Sequence, residues 1–223
     1  MTLPILMLTG LDARLANLTS TVALFPGQVV AGLQGRTMVD DLSIGGASSI
    51  LVLAVINLAG GALGAGLLLA TPSEVFADLV PWLVLFATCL FIVGNLRPAP
   101  NFATNSRLPA VFKTTQFLIA AYGGYFGGGN GFLMLAALAL AGVASRSAVA
   151  LKNILLALIN AAAVLVFVLS AQAVLDKAAV VGAGAIVGGI AGVWLLRRID
   201  EKLLRFVVAA IGLTLTVWLF AAR

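Results

Sequence analysis

The residues that could do chemistry in this chain are one lysine, a few neutral amides and a run of glycines. Lys152 is the one charge well inside an apolar stretch, and Asn153 follows it. An ammonium group in apolar surroundings attracts an anion. Lys152 is also near the start of its predicted helix, so its long side chain could instead reach water at the helix end. Both roles stay open from the sequence.

Further polar side chains recur at a helical spacing. Asn153 and Asn160 are seven residues apart, which puts them on one face of a helix. Thr21 and Gln28, also seven apart, occupy the matching positions in the first half of the chain. Because buried amides and hydroxyls need partners, these residues either line a polar path or form hydrogen bonds between helices.

The segment Gly127-Gly128-Gly129-Asn130-Gly131 offers bare backbone N–H groups. Such groups, and the starts of helices, bind anions without charged side chains. A tight turn between closely packed helices is the alternative. No strand–loop–helix unit surrounds the glycines, so they do not indicate a dinucleotide site.

Several kinds of chemistry are disfavoured by what the chain lacks. It has no histidine, and all eight acidic residues lie in predicted loops or at helix ends. The single cysteine, Cys89, lies in an apolar run. With so few catalytic groups and metal ligands, we predict no enzyme, no metal site and no cofactor. A cation pump is disfavoured too, since cation sites in membranes usually need carboxylates.

Composition decides which elements position these residues. Hydrophobic residues make up 62% of the chain and charged ones 9%, with a mean hydropathy of +1.15. Soluble domains carry about 25% charged residues. We therefore predict an all-α polytopic membrane protein in a lipid bilayer, and the positive charge does not indicate nucleic acid. A spanning helix needs about 20 apolar residues, and six such runs occur: Leu15–Gly35, Ile44–Ala70, Leu79–Leu96, Ser147–Ser170, Ala178–Leu196 and Leu203–Ala222.

A seventh apolar stretch, Val111–Gly142, is interrupted by the glycine segment. Its flanks, Gln116–Phe126 and Phe132–Gly142, have 11 residues each. Each is about 17 Å as a helix, half of a hydrocarbon core. We predict a re-entrant hairpin of two short helices that enters and leaves on the same side, buried in protein or lining a polar cavity.

The distribution of cations supports the hairpin. If it returns, nine cations lie on one face and three on the other, with Lys152 in neither group; if it crosses, the count is six against six. The positive-inside rule favours the asymmetric arrangement, with the nine-cation face cytoplasmic and the C-terminus outside. The nine are Arg36, Arg97, Arg107, Lys113, Arg146, Arg197, Arg198, Lys202 and Arg205, and the three are Arg14, Lys177 and Arg223.

The chain reads as two related halves, residues 1–100 and 111–223. A shift of 132 residues brings Gly10 onto Gly142 and Arg14 onto Arg146, each after an apolar half-helix and before a long apolar run. Three crossings per half invert the second half relative to the first, as in many secondary transporters. The first half retains only the second arm of its hairpin, so we expect that the start is misassigned or that the chain is truncated.

Other small residues and one proline have structural roles. Gly60 and Gly64 have the spacing that lets helices approach closely, as do Gly184, Gly188 and Gly192. Pro26 is expected to kink or break its span.

The segment from Gly124 to Phe132, followed by an apolar arm, Gly142, Ala148 and a polar-led helix, resembles the sulfite exporter TauE/SafE family. Leu3-Pro4 through Gly10 and then Ala16 to Ser20 is similar to the first half-repeat of that family after its glycine turn. The first glycine turn is absent, and Lys152-Asn153 replaces small hydroxyl residues of relatives. The resemblance covers nearly the whole chain.

The resemblance implies a permease of the bacterial inner membrane for sulfite, organosulfonates or related small anions. We expect alternating access between the two halves, with substrate near the glycine segment and the polar positions named above. A non-transporting subunit of a larger complex and an anion channel are the alternatives. A homodimer is left open.

Overall fold

The structure is a computed structural model, which describes residues 2–35, 47–96, 110–141, 143, 145–172, 174, 176, 178–184 and 201–221. These residues form helices joined by turns and contain no strand, which confirms the all-α prediction. The helices are α1 Thr2–Leu8, α2 Ala13–Gly35, α3 Ala47–Ala70, α4 Ser73–Leu96, α5 Ala110–Tyr125, α6 Asn130–Leu140, α7 Ser145–Leu169, α8 (described over 178–184) and α9 Glu201–Ala221.

Two helix boundaries differ from the sequence-based expectation. Helix α4 begins at Ser73, six residues before the predicted span, with Glu74 in its first turn. A carboxylate there is favourable against the helix dipole. Helix α5 begins at Ala110, six residues before the predicted arm, and the hydroxyls of Thr114 and Thr115 bond to carbonyls four residues back. It is therefore about 24 Å long rather than 17 Å.

The proline in α2 does not end the helix. Helix α2 is continuous through Pro26. Of the expected kink or break, the break is therefore wrong, and the kink stays a prediction. A proline removes one backbone hydrogen bond, but in apolar helices neighbouring elements can compensate for it. Helix α2 packs along α7 over much of its length, which holds the segment in place.

Glycine contacts fix the direction of α5 against α3. A methyl group at Gly60 would meet Ala120 and the carbonyl of Phe117, whereas one at Gly64 would overlap the carbonyl of Ala121. Moving forward by four residues on α3, from Gly60 to Gly64, moves the contact forward by four residues on α5, from Phe117 to Ala121. The two helices are therefore parallel. The small residues allow this approach, as the Gly60/Gly64 spacing predicts.

The second arm, α6, returns beside α5. Asn130 at its start lies against Gly123 near the end of α5. Leu138 near its end shares an apolar cluster with Phe112 in the first turn of α5. Helix α7 then begins at the same end as α5. The glycine segment therefore lies between two short antiparallel helices, as the hairpin predicts, but Asn130 and Gly131 form the first turn of α6 rather than part of the connecting turn.

The long helices pair in defined directions. Helix α7 is parallel to α3, since Leu53 clusters with Leu151 near one end of the helices and Leu68 with Phe167 near the other. Helix α2 is antiparallel to α7, because Gly32 faces Asn153 to Ala157 while Leu18 clusters with Phe167. Helix α4 is antiparallel to α9, because Phe76 near its start shares an apolar cluster with Leu219 near the end of α9. Trp82 also stacks edge-on against Phe220, with ring centroids 5.1 Å apart.

Many large apolar side chains are exposed, in addition to those that form the buried clusters. The side chains of Asn57 and Gln116 are 0% exposed, whereas Leu67 and Trp82 are 51% and 57% exposed. Polar groups inside and large apolar groups outside suit a lipid environment. By length and composition, two stretches of the described residues can cross a bilayer, Ile50–Ala70 and Ser147–Leu169. Helices α2, α4 and α9 coincide with three further predicted spans.

Some sequence-based predictions fall outside the described residues. These are most of the span Ala178–Leu196, Gly142, Gly188 and Gly192, the side chains of Arg146, Lys202 and Arg205, and the cations Arg36, Arg97, Arg107, Lys177, Arg197, Arg198 and Arg223.

Candidate functional site

The glycine turn is built by backbone conformations that other residues rarely adopt. Gly127 and Gly129 have φ values of +77° and +75°. Left-handed backbone of this kind favours glycine. Hydrogen bonds hold the turn. The N–H of Phe126 donates to the carbonyl of Tyr122 at 2.9 Å, the hydroxyl of Tyr122 donates to the carbonyl of Gly128 at 2.7 Å, and the N–H of Asn130 donates to the carbonyl of Gly127 at 3.4 Å. The turn is therefore fixed from within the hairpin.

Neighbouring helices hold the turn from outside. The Nδ2 of Asn17 in α2 donates to the carbonyl of Tyr125 at 3.0 Å, and so satisfies a carbonyl at the C-terminal end of α5. A methyl group at Gly129 would lie 2.6 Å from Cβ of Ala87 in α4. The turn thus contacts both α2 and α4, which belong to the first half of the chain.

The side chain of Lys152 passes the start of α6. A methyl group at Gly131 would lie 3.9 Å from Cδ of Lys152 and 3.6 Å from Cδ1 of Leu156. Gly131 is the second residue of α6. Its neighbours in the first turn already donate to the preceding glycine turn, Asn130 to the carbonyl of Gly127 at 3.4 Å and Phe132 to that of Gly129 at 3.0 Å. The ammonium stem and the positive end of the α6 dipole therefore lie together, an arrangement that favours a negatively charged ligand.

Asn130 occupies the space that the missing side chain of Gly123 leaves. The Asn130 side chain is 3% exposed, and a Cβ at Gly123 would overlap its Nδ2 and lie 3.2 Å from Cγ2 of Ile159. Its Oδ1 is buried without a hydrogen-bond partner among the described residues. The structure thus leaves one polar atom of this amide free at the first turn of α6.

The other predicted site residues lie along α2 and α7. Asn160 is buried, and its Nδ2 donates to the carbonyl of Leu156 in its own helix at 2.9 Å. Asn153 is half-buried, in the turn of α7 that faces Gly32. Gln28, one turn before Gly32, is level with the turn of α7 that contains Asn160, because α2 and α7 are antiparallel. The Oε1 of Gln28 is buried without a partner in the described part of the chain.

Thr21 is placed apart from this group. It lies seven residues from Gln28, about 10 Å along α2, and its hydroxyl donates to the carbonyl of Asn17 at 3.0 Å. The structure therefore brings Lys152 to Gly131 and places Gln28 level with Asn160, while Thr21 is separate and already bonded.

Sequence reasoning missed Tyr122 and Gly123, which shape the turn. Their signal was their position one turn before the glycine segment on the same short helix, but only the packed hairpin shows that Tyr122 bonds forward to Gly128. Gln116 and Asn57 were missed as well, although amides within apolar runs are visible in the sequence.

A protein-family model described as "Sulfite exporter TauE/SafE" matches residues 1–219 of the chain. The chain belongs to the TauE/SafE family. No curated protein and no solved structure matches it.

Membership of the TauE/SafE family confirms the resemblance read from the glycine segment. The family consists of membrane transporters and not of enzymes, so the chain is a membrane protein of a transport family. The enzyme class, disfavoured from the lack of catalytic groups, is excluded on this ground.

Proposed function

We propose that this TauE/SafE protein carries sulfite, an organosulfonate or a related small sulfur anion across the bacterial inner membrane. The main support is the position of Lys152, whose aliphatic side chain lies against Gly131 in the first turn of α6. A fixed positive charge and a helix start together stabilise an anion more than either alone. The sulfur anion follows from the family, whose description is that of a sulfite exporter.

Alternating access between two inverted repeats, residues 1–100 and 111–223, is the proposed mechanism. Helix α2 corresponds to α7 in the repeat, and α4 corresponds to α9. In both pairs the two helices are antiparallel, which is the relation expected when a second repeat is inverted. Contacts of the glycine turn with α2 and α4 support a site between the halves, where transporters of this plan bind substrate.

Neutral hydrogen-bonding groups accompany Lys152 inside the bilayer. Asn130 starts α6, Asn153 and Asn160 lie along α7, and Gln28 lies on α2 at the level of Asn160. The unpartnered Oδ1 of Asn130 and Oε1 of Gln28 are acceptors. They suit a protonated anion such as bisulfite, or the bound water that accompanies an anion, better than a bare sulfite dianion. Gly128 and Gly129 belong to the adjoining turn and carry backbone N–H groups of the kind that bind anions, whereas the N–H of Gly127 already donates to the carbonyl of Tyr122 at 3.4 Å.

The test is flux of labelled sulfite into liposomes that contain the purified chain, with taurine and sulfoacetate as competitors. Wild type is compared with Lys152→Ala and with Lys113→Ala. Lys113 is an exposed lysine of α5, so its replacement removes the same charge away from the site. We expect saturable flux that the competitors inhibit, that Lys152→Ala abolishes and that Lys113→Ala leaves intact.

The other outcomes separate the parts of the proposal. Saturable flux that is unaffected by Lys152→Ala would retain the transporter but remove Lys152 from its path. Loss of flux in both lysine variants would indicate a general effect of charge. Rates far above those of carriers, measured as electrical currents, would indicate a channel instead.

A further inference from the structure

Two fully buried amides, Asn57 of α3 and Gln116 of α5, lie away from the site around Gly131. Both side chains are 0% exposed. Gln116 precedes Gly123 by seven residues, so it is about 10 Å from the Asn130 contact along α5. A buried amide is costly unless its polar atoms are bonded, and the transport proposal gives these two residues no role.

Helix register puts the two amides opposite each other. Gly60 of α3 lies against Ala120 of α5, and the helices are parallel. Asn57 precedes Gly60 by three residues and Gln116 precedes Ala120 by four. Residues three or four apart share a helix face, so both amides lie on the faces that α3 and α5 present to each other, at the same level.

Their hydrogen bonds within the protein are incomplete. The Nδ2 of Asn57 donates to the carbonyl of Leu53 at 2.8 Å, which fixes the orientation of that amide. The Oδ1 of Asn57 and both amide atoms of Gln116 have no partner among the described residues. Two acceptors and one donor thus remain in a region where each unbonded group costs about 1–3 kcal/mol.

The three unbonded atoms, two oxygens and one nitrogen, determine which class of ligand could bind between the amides. A metal cation would leave the Gln116 nitrogen unbonded, and a bare oxyanion would leave both oxygens unbonded, because such an ion only accepts. A water molecule donates two hydrogen bonds and accepts others, and buried waters typically make about three bonds. Water is therefore the ligand that satisfies the two oxygens and the nitrogen together.

We propose that Asn57 and Gln116 bind one ordered water molecule in the α3–α5 interface. The apolar cluster that contains Leu53, Phe112 and Leu155 covers one side of this site, and the Gly60–Ala120 contact closes the other. The water satisfies the amides beside the tight glycine contact. The site is independent of the transport proposal and stands whether or not the chain moves sulfite.

Radiolytic labelling of the full chain in isotope-labelled water tests the site. Hydroxyl radicals generated from a bound water oxidise neighbouring side chains even when those side chains are buried. Phe112 is one turn before Gln116 and is 7% exposed, whereas Phe167 is 0% exposed in the other apolar cluster. We expect oxidation of Phe112 with oxygen from the labelled water, and none at Phe167.

The double variant Asn57→Leu with Gln116→Leu is the second part of the experiment. It should lose the oxidation of Phe112, because no polar atoms remain to hold the water. Label on Phe112 that persists in this variant would overturn the site. Absence of label at Phe112 in the wild type would overturn it as well, since the two amides would then bond directly to each other. This measurement uses the wild-type protein and does not depend on the folding of a variant.

Discussion

At the scale of single residues, Asn130 separates what the sequence could predict from what it could not. Its place among four glycines marked it as a site residue. Its contact with Gly123 could not be predicted, because it joins two helices whose relative position depends on tertiary packing. Lys152 is similar: its isolation in an apolar run suggested a role, but only the packing of α6 on α7 brings it to Gly131.

The fit between Asn130 and Gly123 gives a prediction on stability. Gly123→Ala should lower the free energy of unfolding by about 1–3 kcal/mol, because the new methyl group overlaps Nδ2 of Asn130 and overpacking of this kind costs that amount. Asn130→Ser, which shortens the side chain, should recover part of that loss when combined with Gly123→Ala. Thermal unfolding of the four proteins in detergent measures the effect, and strictly additive changes would contradict the contact.

At the scale of helices, the apolar runs of the sequence predicted where the helices lie better than where each helix begins or ends. The runs that predicted α2, α3, α7 and α9 agree with the observed helices to within three residues at each end, because apolar length is what a spanning helix requires. The starts of α4 and α5 were wrong by six residues, since both helices continue into polar segments that hydropathy does not detect. Of the kink or break expected at Pro26, the break was wrong, because α2 continues through the proline where it packs against α7.

Helix α3 offers a matched pair of glycines for testing its close approach to α5. At Gly64 a Cβ would overlap the carbonyl oxygen of Ala121, whereas at Gly66 nothing lies within 4 Å. Gly64→Ala should therefore destabilise the protein by several kcal/mol or prevent folding, since the overlap is with backbone. Gly66→Ala should be neutral or stabilising by up to about 1 kcal/mol from helix propensity. Equal unfolding temperatures for the two variants would contradict the close approach of α5 to α3 at Gly64.

At the scale of the whole molecule, charge asymmetry predicted the hairpin, and helix directions agree with it. Helices α3, α5 and α7 are parallel, as they must be if the stretch Val111–Gly142 returns to its own side. Which helices contact each other could not be read from the sequence, because apolar helices in lipid have no polar outer face that would indicate an orientation.

Side-specific labelling tests this topology. With Cys89 replaced by serine, Glu74→Cys and Asp176→Cys each introduce one exposed thiol, beyond the ends of α3 and α7. A returning hairpin puts both thiols on the outer side, so an impermeant maleimide added to intact cells should label both. Lys113→Cys, at the start of α5, should react only after the cells are opened. Protection of position 176 together with labelling of position 74 would mean that the hairpin crosses.

The charge content of the whole chain also predicts what drives transport. All eight acidic residues lie outside the six predicted apolar runs, with Glu74 and Asp78 in the first two turns of α4, and there is no histidine. The apolar runs therefore lack the groups that usually bind protons or cations. An inside-negative potential already drives an anion outward by about 2.3 kcal/mol per charge per 100 mV. In liposomes held at the same pH on both sides, an imposed potential should therefore drive sulfite flux away from the negative side, and removal of sodium should leave that flux unchanged. Flux that needs a sodium gradient in the absence of a potential would contradict this, and would mean that neutral groups such as Asn130 and Gln28 serve a coupling ion.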